Sequence, residues 1–238
     1  MRRSSKLAVP LKRPEDVIPH LGKTSHWKQG RSAKSMADSW FVSEDMPATV
    51  RRVMATDEYL RDAEFLDGWL ERETDLQDGI QGATQTDLLG LFGVGDKLGV
   101  LGIEARVTES FGPLISEKLG GSEDARLRVC QLCDLFRLDP DHAGHLRYQL
   151  VHRTAAIILE ARRFRSNIGV LIIQSFCPDR TGLSDCAAFF EAIGMSGFHD
   201  GGLIGARRFA GVDLWAGWAS DVPLPEVSGL DAQASVFS

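Results

Sequence analysis

Cysteine is scarce in this chain, long apolar runs are missing, and none of the common hydrolase or nucleotide-binding signatures occurs. Each absence excludes something. Of the four cysteines, Cys130 and Cys133 form a single C-x-x-C inside the helical pattern L-R-V-C-Q-L-C-D-L-F-R-L, and no second pair follows at zinc-finger spacing. Two small buried residues one helical turn apart are therefore expected, not a metal or redox centre. No apolar stretch approaches the ~20 residues that span a bilayer, so no membrane association is expected. The opening M-R-R-S-S-K-L-A-V-P is basic but carries no apolar segment of the secretory kind, which leaves a cytoplasmic location as the expectation. There is no G-x-S-x-G and no H-E-x-x-H. Gly93, Gly95 and Gly99 fall within a hairpin and do not open a helix, which argues against a nucleotide-binding loop.

What is present is the composition of an ordinary globular chain. Its 238 residues are 43% hydrophobic and 25% charged, enough to bury a sizeable core. The net charge of −6 is unevenly spread. Residues 1–35 hold nine Lys and Arg against Glu15 and Asp16, a surplus of +7 that leaves −13 on the remainder. A basic arm on an acidic body can touch a polyanion such as nucleic acid, but the acidic body argues against broad non-specific DNA binding. The division this implies is a basic, flexible arm (1–25), a single α/β domain (26–222) and a tail (223–238).

The order of elements follows from periodicity and punctuation. A short helix after Gly30 places Ala33, Met36, Ala37 and Trp40 on one face, and Pro47 opens another helix through Val50, Val53 and Met54 that continues into 57–64. A first strand is expected over Trp69–Asp75, with Glu71, Glu73 and Asp75 on one face. Strands at 87–92 and 98–107 follow, joined by Gly93-Val94-Gly95-Asp96. Helices are expected from Pro113 to Leu119, over 123–138, and from Ala143 to Arg165, the last with Arg147, His152, Arg153, Arg162 and Arg163 on its exposed face. The nearly continuous apolar run Gly169–Cys177 reads as a strand buried on both faces. A helix capped by Ser184 and a terminal hairpin, Leu203–Phe209 with Val212–Ala219, complete the chain. A meander of three strands, a helical crossover and a buried strand make an α/β architecture with a mixed sheet.

The polar residues that interrupt the hairpin from Thr86 to Gly112 carry the chemistry. Asp87 opens one strand, and after sixteen intervening residues Glu104-Ala105-Arg106 lies on the next. Glu104 and Arg106, two apart on a strand, share a face, while Leu101, Ile103, Ala105 and Val107 share the other. Two carboxylates converging from neighbouring strands can hold Mg²⁺ or Mn²⁺ through oxygen. Such an ion polarises a phosphate and acidifies an attacking water, and a cation alongside stabilises charge on phosphorus. Glu73 on the preceding strand is a further candidate. Gln85, Glu109, His152 and the buried Gln174 are possible accessory residues.

Asp87 with Glu104-Ala105-Arg106 resembles the motif of the PD-(D/E)XK nuclease superfamily, where an acid opens the second core strand and acid-x-Lys lies on the third. H-W-K-Q-G-R-S-A-K-S-M-A-D-S-W, T-Q-T-D-L-L, G-I-E-A-R-V-T-E-S-F-G-P, L-R-Y-Q-L-V-H-R-T-A-A-I-I-L-E-A-R-R-F and Q-S-F further resemble a poorly characterised bacterial family assigned to that superfamily, across about residues 26–195. The resemblance implies a restriction-endonuclease-like core with added N-terminal helices and a C-terminal hairpin, and a metal-dependent nuclease as the expected function. The chain departs from the pattern at Arg106, where the superfamily has Lys. Arg is not deprotonated in proteins, so it can hold a phosphate but cannot act as a base. That departure keeps open a catalytically weak or inactive nuclease-fold protein that serves as a binding module.

Overall fold

The computed structural model describes residues 11–21 and 27–221. The expected tail and much of the expected basic arm lie outside the described residues. Within the arm, Pro14–His20 forms a 3₁₀ helix whose Val17 is buried.

Six strands build one mixed sheet: β1 (Glu64–Thr74), β2 (Thr84–Val94), β3 (Lys97–Arg106), β4 (Ile168–Ser175), β5 (Leu203–Phe209) and β6 (Val212–Ser220). Their order is β1-β2-β3-β4-β6-β5. β1, β2 and β3 form an antiparallel meander, β4 runs parallel to both β3 and β6, and β5 pairs antiparallel with β6. The expected α/β class and mixed sheet are therefore present. β4 is buried along its whole length, because helices cover both faces of the sheet where parallel strands lie.

One face carries α1 (Ser32–Phe41) and α2 (Ala48–Met54), whose Met36, Trp40, Val50 and Val53 pack on Leu101, Ile103, Val170 and Ile172. The other carries α3 (Ile115–Leu119), α4 (Glu123–Phe136), α5 (Tyr148–Arg163) and α6 (Leu183–Ala192). There Leu150, Ile157 and Ile158 of α5 meet Leu89, Val100 and Leu171 of the sheet. α5 approaches β3 closely because Gly102 has no side chain. A Cβ added there would lie 2.1 Å from Ile157 Cδ1 and 2.8 Å from Ile157 Cγ1. Gly102→Val is expected to lower stability by about 1–3 kcal/mol, read as a lower urea midpoint. An unchanged midpoint would mean that α5 is not seated through this contact.

Several boundaries differ from the sequence expectation. Residues 57–64 do not continue α2. The Asp57 carboxylate accepts from the backbone N–H groups of Tyr59 and Leu60, a local bond that competes with the helix, and strand begins at Glu64. α5 starts at Tyr148 and not at Ala143, because 142–145 is a 3₁₀ turn and the next residues pair with the chain before α3. Ile115 N–H donates to Leu146 O at 2.9 Å and Tyr148 N–H to Pro113 O at 3.0 Å. Gly182, not Ser184, precedes the first residue of α6. Cys133 is buried as expected, but Cys130 is exposed.

Candidate functional site

The site forms where β2 and β3 separate. Their regular pairing reaches Leu88 opposite Ile103. One step further the ladder hydrogen bond is replaced by a side chain, as Ala105 N–H donates to Asp87 Oδ2 at 2.7 Å. Alternation on β3 behaves as read from the sequence. Leu101, Ile103 and Ala105 pack with the α1–α2 layer, and Glu104 and Arg106 lie on the other face, toward α5 and the Ser110–Phe111 segment.

Glu104 is 1% exposed, and three side chains hold it. Oε1 accepts from Arg106 Nη2 and from Gln149 Nε2, both at 2.8 Å, and Oε2 accepts from Arg153 Nε at 2.6 Å. Gln149 and Arg153 are four apart on α5 and so project from one side of it. Arg153 Nη1 also donates to Thr84 Oγ1, which lies 2.7 Å from His152 Nδ1. Burial, reinforced by the Arg153 charge, lowers the pKa of His152 well below the usual imidazole range, so the ring is neutral.

Arg106 is enclosed. It is 5% exposed, its guanidinium carbon lies 4.2 Å from the Phe111 ring centroid, and Nη1 reaches Ser110 O at 3.5 Å. Its Nε is sealed from solvent without a hydrogen-bond partner.

A third carboxylate belongs to the cluster, and it is not Glu73. Leu70 pairs with Leu88 and Arg72 with Thr86, which places Glu71 opposite Asp87. Glu71 has φ +52, a conformation that costs a non-glycine residue on the order of 1–3 kcal/mol. The regular alternation of β1 breaks there. Trp69 stacks on Phe164 beside α5, yet Arg72, three residues on, also reaches α5 through Glu160 at 3.6 Å. Strict alternation would have put Trp69 and Arg72 on opposite faces. Burial, then the charges of Asp87 and Glu104, raises the Glu71 carboxyl to about 8. Burial and the Glu104 charge raise Asp87 to about 7, against the pull of Arg153 and Arg106.

The other candidates fall into two groups. Gln85 stays at the rim, where its Nε2 donates to Glu71 O at 3.4 Å. Glu73 is exposed and pairs with Gln85 across the strands. Glu109 accepts from Val107 N–H at 2.9 Å and lies 4.0 Å from Arg31. Gln174 is on the opposite face of the sheet and does not line the site. Its Oε1 accepts from Trp40 Nε1 at 3.0 Å, and its Nε2 donates to Ser39 Oγ at 3.1 Å and Asp221 Oδ2 at 2.9 Å, which pins α1 to β4. His152 and Arg153, expected on an exposed helix face, are half-buried, Arg153 against Glu104 and His152 against Thr84. Sequence reasoning missed Glu71, Thr84, Gln149 and Arg153 as site residues. The signal available was the four-residue spacing of Gln149 and Arg153 beside the apolar stripe of α5.

The donor set suits a hard divalent cation. The buried acids offer only carboxylate oxygens, and their crowding raises their affinity for protons, a surplus of negative charge that a cation would relieve. Among the described residues, no three His, Cys, Asp or Glu side chains are gathered as ligands for one ion. A bound ion would therefore rest on Asp87 and Glu104, a number of protein ligands that suits Mg²⁺, which keeps several waters.

These features define an α/β protein with a mixed six-stranded sheet and a buried acid–arginine cluster at the end of its meander. The chain belongs to the family described as Domain of unknown function (DUF6946), whose model matches residues 10–223. No curated protein and no solved structure matches it. Among the described residues no helix is long and apolar enough to cross a membrane.

Proposed function

We propose that the protein is a metal-dependent nuclease that hydrolyses phosphodiester bonds in nucleic acid. The observation that carries this reading is the convergence of Asp87 and Glu104 from adjacent strands, with Glu71 opposite Asp87 and two guanidiniums beside them. The order of elements supports it: an antiparallel meander, a helical crossover and a parallel buried strand are the core that the PD-(D/E)XK resemblance implies.

In this reading Asp87 and Glu104 hold Mg²⁺ or Mn²⁺, which when bound would acidify a water and neutralise phosphate charge. Arg106 fixes the Glu104 carboxylate from inside the fold. Gln149 fixes the same oxygen from α5. Glu71 and Gln85 line the approach from β1 and β2. The Ala105 N–H holds Asp87 in place, so the carboxylate does not swing away when the site is empty of substrate.

One observation favours a second reading, a binding module without hydrolysis. Both oxygens of Glu104 already accept from Arg106, Gln149 and Arg153, so an ion would have to share them. A single assay separates the two. Purified protein is incubated with single-stranded DNA, duplex DNA and RNA in Mg²⁺ or Mn²⁺, beside Asp87→Asn and Glu104→Gln. Cleavage by the native chain and a loss of at least ~10²-fold in both variants is expected for the nuclease. Cleavage that persists in both variants, or none with either metal, removes the hydrolytic reading and leaves the binding module.

A further inference from the structure

We infer that Arg153, and not Arg106, is the guanidinium that receives a phosphate oxygen of the nucleic acid at this site. The inference rests on the nucleic-acid reading above but not on hydrolysis.

The two arginines flank the same carboxylate and differ in what remains open on each. Arg106 is spent. Nη2 goes to Glu104, Nη1 faces Ser110 O, the plane stacks on Phe111, and the remaining Nε is sealed inside the protein. A phosphate could reach it only if the chain around Ser110 and Phe111 opened. Arg153 comes from α5 on the other side of Glu104. Its Nε and Nη1 are used, by Glu104 Oε2 and Thr84 Oγ1. Its Nη2 has no hydrogen-bond partner among the described residues and, unlike Arg106 Nε, is not sealed from solvent. A phosphate oxygen can therefore take Nη2 while both existing bonds remain, and the existing bonds hold the guanidinium in one orientation beforehand. A planar fork fixed in this way suits an oxyanion better than a mobile ammonium would.

Charge points the same way. The Arg153 charge acts on Asp87 and on Glu71, whereas Arg106 acts on Asp87 less strongly. Asp87 and Glu71 are half-buried whereas Glu104 is buried, so two of the acids on which the Arg153 charge acts lie nearer the surface than Glu104. The residue that stands where the superfamily resemblance places its lysine has thus become an internal counter-ion, and the outward-facing cation comes from the crossover helix. Beside that cation, Thr84 and neutral His152 carry no charge that would compete with a phosphate.

The test is the salt dependence of oligonucleotide binding, measured in EDTA so that no cleavage intervenes. A fluorescein-labelled dT oligonucleotide and a labelled duplex are titrated with the native chain, Arg153→Ala, Arg153→Lys and Arg106→Met, between about 50 and 200 mM KCl. Arg153→Ala is expected to weaken binding roughly tenfold and to reduce the slope of log K against log salt by about 0.7–0.9. Arg153→Lys is expected to keep the slope while losing affinity, because the charge stays and the fork does not. Arg106→Met, which removes the buried charge, is expected to keep the native slope. Circular dichroism establishes that each variant is folded; should Arg153→Ala not fold, Arg153→Gln replaces it. An unchanged slope without the Arg153 charge, or a slope reduced in Arg106→Met, overturns the assignment. Arg153-dependent binding without cleavage would sustain it while removing the hydrolytic reading. Cleavage that needs Asp87 but not Arg153 would do the reverse. No binding by the native chain overturns the assignment, and the nuclease reading then stands or falls on the cleavage assay with metal.

Discussion

Glu104→Ala is expected to destabilise the protein by about 3–5 kcal/mol, the largest effect of any single side chain in the site. The reason is the company the carboxylate keeps. Glu104 is the shared partner of Arg106 and Arg153, and all three are removed from most of the solvent. Without it two guanidiniums face each other across a small space, and Arg106, 5% exposed and stacked on Phe111, cannot turn to water. Gln149 loses its acceptor as well. Arg106→Met should cost less, because Glu104 then keeps Arg153 and Gln149 and the buried charge remains paired. Urea unfolding of the three proteins at neutral pH measures this. A loss below ~1 kcal/mol in Glu104→Ala would show that the cluster relaxes and is not held as a unit.

Stability is expected to fall as pH rises from about 5 to about 8.5 in metal-free buffer. Glu71 and Asp87 are raised to about 8 and about 7, whereas a carboxyl in the unfolded chain loses its proton near 4. Across that window the folded form holds protons that the unfolded form has lost, so withdrawing protons favours unfolding. This is the opposite of an acid stabilised by a salt bridge, whose contribution disappears at low pH. The thermal midpoint in EDTA should therefore decline toward alkaline pH, and Glu71→Gln should flatten the decline. If a divalent ion binds these acids, Mg²⁺ or Mn²⁺ should restore the midpoint more at pH ~8.5 than at pH ~5.5, since ligation needs the deprotonated carboxylates. A midpoint that rises with pH in EDTA would sink the account of a crowded acid cluster.

Much of the fold was legible because the relevant patterns are local. The apolar run before Cys177 reads as a doubly buried strand, and β4 is one. The hairpin around Gly95 is read from turn residues, and β2 and β3 meet there. The facing of Glu104 and Arg106 follows from a period of two and is observed. What was misread depends on a neighbour or on a single dihedral. Asp57 ends α2 with its own carboxylate, and the chain at 146–148 pairs with the stretch around Leu114 before α5 begins. Gln174 was visible as a polar residue in an apolar strand, but only packing shows that Trp40 and Asp221 satisfy it on the far face.

The candidate site divides along the same line. Asp87, Glu104 and Arg106 could be named from their spacing, since strand geometry alone brings such residues together. Glu71 replaced Glu73 because φ at position 71 is positive, a feature that no periodicity encodes. Arg153 was read as a solvated helix residue because a helical wheel records only which side is apolar. The strand end beneath it carries acids, and a cation next to the apolar stripe turns inward to meet them. The sequence by itself determined the mixed α/β sheet and the acids at the end of its meander, because these depend on contacts between neighbouring strands. The tertiary structure decided which cation is sealed and which keeps one donor at the surface, because that depends on how α5 and the 107–112 segment close around Glu104, a matter of long-range packing.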